Sequence, residues 1–131
     1  MARRVEELAV WQLGNQIREK AHSITATGPA AKDFKFRDQV RDSAASVTRN
    51  IAEGFGRFGD AEFAWFLRVA RGSLTETHNS LRDGHDRGYF TVTDTAGLQR
   101  LAIRAIKAAT GLIRYLEPPS GKNRRRFPRT T

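Results

Sequence analysis

The stretch from Ser46 to Phe63, "SVTRNIAEGFGRFGDAEF", decides how this chain is read. Val47 and Ile51 carry a helical apolar stripe, Asn50 and Glu53 interrupt it, and Gly54, Gly56 and Gly59 end it. Glycines after an apolar run suit two devices, a loop that cradles phosphate or a helix stop with a tight reversal. A P-loop needs a strand upstream and a Lys with Ser or Thr behind the glycines. Here a helical pattern precedes, and Arg57 and Phe58 stand among the glycines. The 54, 56, 59 spacing resembles a dinucleotide fingerprint only superficially, because that motif also needs a strand before it. The reading is therefore structural. Gly54 is expected to supply the left-handed residue of a helix stop, and Gly56 and Gly59 to let the chain reverse.

Upstream, Phe36, Val40, Ala44, Val47, Ile51 and Phe55 recur at intervals of four and three, one face of a helix about five turns long. Before it, Val10, Leu13, Ile17, Ala21 and Ile24 mark an amphipathic helix over about residues 6–27, closed by Gly28 and Pro29. Downstream, Asp60 is the expected N-cap of a third helix, with Glu62 in its first turn. Phe63, Phe66, Leu67, Ala70, Leu74 and Leu81 form its buried face, and Gly84 or Gly88 its stop. A fourth helix opens at Thr91 or Thr93 and runs to Pro118, with an apolar face wide enough to touch two neighbours. "YFTVT" at 89–93 is the sole strand candidate, short and unpaired. Long helices with short connections predict an all-α, antiparallel up-and-down four-helix bundle over residues 1–117.

Composition narrows the function classes. The 131 residues suit one domain, and 39% hydrophobic residues suffice for one core. No apolar run approaches the roughly 20 residues that span a bilayer, so no membrane role is expected. The N-terminus has two arginines but no apolar h-region, which argues against a signal peptide. There is no cysteine, which excludes disulfides and thiolate metal sites and makes the cytoplasm the expected location. The net charge is +9, and residues 118–131 hold Lys122, Arg124, Arg125, Arg126 and Arg129 with no acid. This basic tail is expected to be disordered. Such an excess attracts polyanions.

Side-chain chemistry offers little for catalysis. Ser43, Ser46, Asn50 and Glu53, spaced 3, 4, 3, share one stripe beside the apolar one. Small residues opposite, Gly72 and Ser73, predict close packing of the second and third helices, with Asn50 and Glu53 hydrogen-bonded there. Arg49, Arg57 or Arg68 is the expected partner of Glu53. A buried glutamate can act as an acid or base, but no second catalytic group accompanies this one. A di-metal bundle needs a Glu-x-x-His pair on each of two helices; Glu19 stands three residues before His22, but no Glu stands so before His78 or His85, and no metal or cofactor is expected. Arg57, near the start of the third helix, is a candidate phosphate contact. Trp65 is expected to be exposed on one subunit and buried between subunits.

The segments "LAVWQLGNQI" (8–17), "FRDQVRDSAASVTRNIAEGFGR" (36–57) and "EFAWFLRVARGSLTETHNSL" (62–81) resemble the bacterial four-helix-bundle proteins linked to intervening sequences in 23S ribosomal RNA genes. The resemblance covers roughly residues 8–117. Asn50, Ala52, Glu53, Gly54, Gly56, Gly72, Ser73 and Glu76 match its pattern. It implies a ring-like homopentamer, and an architecture similar to the accessory proteins of diversity-generating retroelements, which bind nucleic acid and a reverse transcriptase. It implies no enzymatic activity and no catalytic residue. The leading expectation is a non-enzymatic oligomer that binds RNA or DNA through phosphates, using Arg57, Lys122, Arg124, Arg125, Arg126 and Arg129. The alternative is a scaffold that binds a protein partner such as a polymerase.

Overall fold

The computed structural model describes residues 2–118. A 3-10 turn at Val5–Glu7 leads into α1 (Ala9–Ile24), the short α2 (Gly28–Lys32), α3 (Phe34–Phe55), α4 (Asp60–Asp86) and α5 (Val92–Leu116). The four long helices form a closed square in chain order. α1 packs on α3, α3 on α4, α4 on α5, and α5 back on α1. Neighbours are antiparallel: Gly54 faces Phe66 at one end of the α3–α4 pair, and Gly84 faces Phe36 at the other. This is the up-and-down bundle that the spacing predicts. Among the described residues there is no strand, and no helix is long and apolar enough to cross a membrane.

Each apolar stripe points into the square. Ile17, Val40, Val47, Ile51, Phe63, Leu67, Leu74, Leu81, Leu98 and Leu116 are fully buried. The wide face of α5 is explained within the chain: this helix packs on both α1 and α4, with Leu98, Ala102, Ala105 and Ala109 buried. Burying one Leu or Ile side chain contributes about 1.5–3 kcal/mol, so the stripes outweigh intrinsic helix propensity in fixing the bundle.

The helix ends correct several expectations. Gly54 is not left-handed. It is the penultimate residue of α3, which ends at Phe55 with Gly56 as an ordinary right-handed cap (φ −77°). Asp60 is the first residue of α4, not its cap; Gly59 holds that position. Gly84 lies inside α4, buried under the Phe36 and Phe90 rings. The stop is Gly88, at φ +78°. Its N–H donates to the His85 carbonyl at 2.9 Å, and the Tyr89 N–H to the Gly84 carbonyl at 2.8 Å, the paired bonds of a Schellman ending. "YFTVT" is no strand: Tyr89 and Phe90 belong to the connection, with Phe90 inserted into the core, Thr91 caps α5 by accepting from the Asp94 N–H at 3.0 Å, and Val92 and Thr93 open that helix. Pro29 does not simply end α1; with Gly28 at φ +70° it begins α2.

A polar clasp ties this turn to the start of α3. Asp33 caps α3 by accepting from the Phe36 N–H at 3.2 Å. Its other oxygen, Oδ2, accepts from the Tyr89 hydroxyl at 2.7 Å and from Arg87 at 3.2 Å. The Tyr89 hydroxyl first, then the Phe36 N–H and the Arg87 charge, holds the Asp33 carboxyl below its usual pKa.

Candidate nucleic-acid interface

The polar stripe of α3 divides along its length. Ser43 is buried and lies 2.9 Å from Thr77 Oγ1 of α4. One turn on, the Ser46 and Ser73 hydroxyls are 2.8 Å apart. Asn50 Nδ2 donates to the Ser46 carbonyl at 2.8 Å and to its hydroxyl at 2.9 Å, which leaves the Ser46 proton for Ser73. These bonds make a satisfied seam between α3 and α4, each contributing about 1 kcal/mol net. Glu53 is not part of it. Its side chain is 54% exposed and accepts from Arg57 Nη2 at 2.7 Å. A buried acid at this position is therefore ruled out. Of the expected partners, Arg57 holds Glu53, Arg68 instead donates to Glu117 at 2.8 Å, and Arg49 holds neither.

Arg57 is heavily engaged. Besides Glu53 it has Glu62 at 3.8 Å, and its guanidinium lies 5.3 Å from the centre of the Phe66 ring. Two carboxylates offset its charge at the corner where a phosphate contact was expected.

Gly54 and Gly72 play opposite parts. A Cβ on Gly54 would meet Phe66 Cβ at 2.6 Å, so this glycine lets α3 and α4 touch. A Cβ on Gly72 would meet nothing within 4 Å, which corrects the expectation that it packs against α3. Gly72 instead lies on the outward face of α4 with Glu76 and Trp65. Trp65 is 57% exposed and stands edge-on to Phe66 at 4.9 Å. Phe58, 82% exposed, lies in the adjoining turn. The signature residues thus fall into an internal set (Asn50, Gly54, Ser73) and an outward set (Trp65, Gly72, Glu76), with Gly56 at the reversal.

The outward face of α5 carries a row of basic side chains with no acid among them. Arg100, Arg104, Lys107 and Arg114 fall at i, i+4, i+7 and i+14, within one narrow stripe. All four are exposed, and among the described residues none has a hydrogen-bond or ion-pair partner. Between Asp94 and Glu117 there is no acid at all. At 1.5 Å per residue the stripe is about 21 Å long. Such a row of exposed cations has the chemistry of a polyanion contact and offers nothing that reads base edges. The charge asymmetry within "QRLAIRAIKAATGLIR" (99–114) could have disclosed it, but the denser cluster in the tail dominates a count of charges. That tail, with Lys122, Arg124, Arg125, Arg126 and Arg129, lies outside the described residues. Among the described residues no cluster of His, Asp and Glu could hold a metal ion.

No curated protein matches the chain in sequence. The family model described as "23S rRNA-intervening sequence protein" matches residues 6–111, from the turn before α1 to the last turns of α5. It takes in the α3–α4 seam, the glycines and most of the basic stripe, and leaves out the tail. With the bundle and the matched segment in agreement, the chain belongs to the 23S rRNA-intervening sequence protein family.

Proposed function

We propose that this protein is a non-enzymatic, cytoplasmic homo-oligomer, a ring of five, that binds RNA or DNA through phosphate contacts. The observation that carries the nucleic-acid reading is the acid-free stripe of Arg100, Arg104, Lys107 and Arg114 on α5. The tail adds Lys122, Arg124, Arg125, Arg126 and Arg129 just beyond the end of that helix. In a ring each subunit would present both, and weak contacts would add by avidity. The contacts address backbone rather than base edges, so little sequence preference follows.

The test is a titration of nuclease-treated protein against structured RNA and duplex DNA at several salt concentrations. Each phosphate contact on duplex DNA adds about 0.9 to the slope of log K against log salt. Arg104→Gln with Lys107→Gln should therefore lower the slope by about 2 and weaken binding to all sequences alike. Deleting residues 118–131 should lower both further. No binding at about 50 mM salt, where such contacts are strong, sinks the reading.

The outward face of α4 favours a second reading, a scaffold for a protein such as a polymerase. A half-exposed Trp beside an open glycine suits a protein contact better than a phosphate. A stoichiometric protein partner, retained without nucleic acid and lost in Trp65→Ser, would decide for it.

A further inference from the structure

The C-terminal half of α4 and the first turns of α5 enclose a cleft of about 500 Å³. His78, Arg82 and His85 form one wall, and Thr95, Gln99 and Ile103 the other. The three basic side chains fall at i, i+4 and i+7, on one flank of α4. Arg82 differs from the other arginines of that helix. Arg68 is held by Glu117, Arg71 by the Thr110 hydroxyl, and Arg87, at the cap, by Asp33 and Asp83. Arg82, His78, His85 and the half-buried Gln99 have no hydrogen-bond or ion-pair partner among the described residues.

The cleft therefore gathers donors that lack an acceptor. A guanidinium offers a planar fork of N–H groups, a primary amide two more, and each imidazole at least one. Asp86 is the one acid in the lining, and α5 contributes no charged side chain to it. The complement is a compact anion with several acceptor oxygens, the chemistry of phosphate. The volume exceeds what a phosphate alone would fill and lies in the usual range for small-molecule sites. Ile103 and Val92, both exposed, add an apolar rim suited to a sugar or base. Gln99 and Ile103 precede Arg100 and Arg104 of the stripe, so the cleft opens beside the ridge.

We infer that this cleft holds one nucleotide unit of a bound single strand, its phosphate on Arg82, His78 and His85 and its apolar part against Ile103. The inference rests on the nucleic-acid reading above and adds a defined pocket to it.

The test uses the full chain with labelled histidines and a single-stranded pentanucleotide as probe, followed by NMR and fluorescence anisotropy. His22, on α1 and away from the cleft, is the internal reference. The His78 and His85 ring signals should move on titration while those of His22 stay. Arg82→Gln should bind about tenfold more weakly, the loss of one charge-assisted contact. A His78→Gln, His85→Gln variant should also bind the pentanucleotide more weakly than wild type. If the pentanucleotide binds but both histidines stay still and Arg82→Gln binds as wild type, the cleft is overturned and the ridge survives. If inorganic phosphate moves both histidines and the pentanucleotide does not bind, the nucleotide assignment fails, and the nucleic-acid reading is left to the structured-RNA and duplex-DNA titration.

Discussion

Replacing Gly54 with alanine sets two effects of opposite sign against each other. In a helix interior the change gains up to about 1 kcal/mol from backbone entropy and propensity. Against this, the added methyl would sit 2.6 Å from Phe66 Cβ, 3.0 Å from Phe63 Cδ1 and 3.3 Å from the Phe63 carbonyl oxygen, where ordinary contact begins at 3.4 Å. A Cβ atom is fixed by its own helix and cannot rotate away, so α3 and α4 must part. That places the cost at the upper end of overpacking, about 3 kcal/mol. The net loss is about 2 kcal/mol, or roughly 8 °C of Tm for a domain near 100 residues. The control is Gly97→Ala on α5, where a methyl meets nothing within 4 Å. It should raise Tm by a few degrees. Thermal unfolding by circular dichroism at fixed protein concentration measures both. A Gly54→Ala variant as stable as wild type would refute the close approach of α3 and α4.

Further outcomes follow from other sites. Gly72→Ala should raise the stability of the isolated bundle by about 0.5–1 kcal/mol, yet lower the particle mass in light scattering if the outward face of α4 joins subunits; an unchanged mass removes that face from assembly. Ser73→Ala should cost about 1 kcal/mol by taking the Ser46 hydroxyl's partner, measured by urea denaturation; no loss would make the seam incidental. The clasp carries a pH dependence. Because the Asp33 pKa is lowered on folding, its contribution is present above the unfolded value near 3.8 and fades as pH falls through the folded one. Asp33→Asn should therefore lower Tm at neutral pH, and the gap to wild type should close below about pH 4. A gap that stays constant down to pH 2 would show that the carboxylate charge is irrelevant.

The four long helices were legible because burial imposes its period directly. Phe36, Val40, Ala44, Val47, Ile51 and Phe55 all line the core, and each is buried. Glycines were legible as positions, not as roles. A left-handed turn and a close helix contact both demand a missing Cβ. What separates Gly54 from Gly88 is Phe63 and Phe66 on the next helix, brought near by tertiary packing alone. Glu53 was misplaced for a related reason. Its stripe passes the seam at Asn50, but the last turn of α3 carries it out to solvent and Arg57. The stripe on α5 was written plainly in the sequence. Its significance rests on an absence of partners among the described residues that only the folded arrangement reveals.

The square closes because α5 packs on α1. The cleft that joins Lys20 and Ile24 to Thr93 and Gly97 shows these two helices running in opposite directions. The start of α1 and the end of α5 therefore share one end of the bundle with the Gly56–Gly59 reversal. Chain order is then separable from architecture. Joining residue 118 to residue 2 through a short linker, and cutting between Phe58 and Gly59, would yield a permuted polypeptide that begins with α4 and ends with α3. Every helix keeps its neighbours in that permutant, and only the sequence in which they leave the ribosome changes.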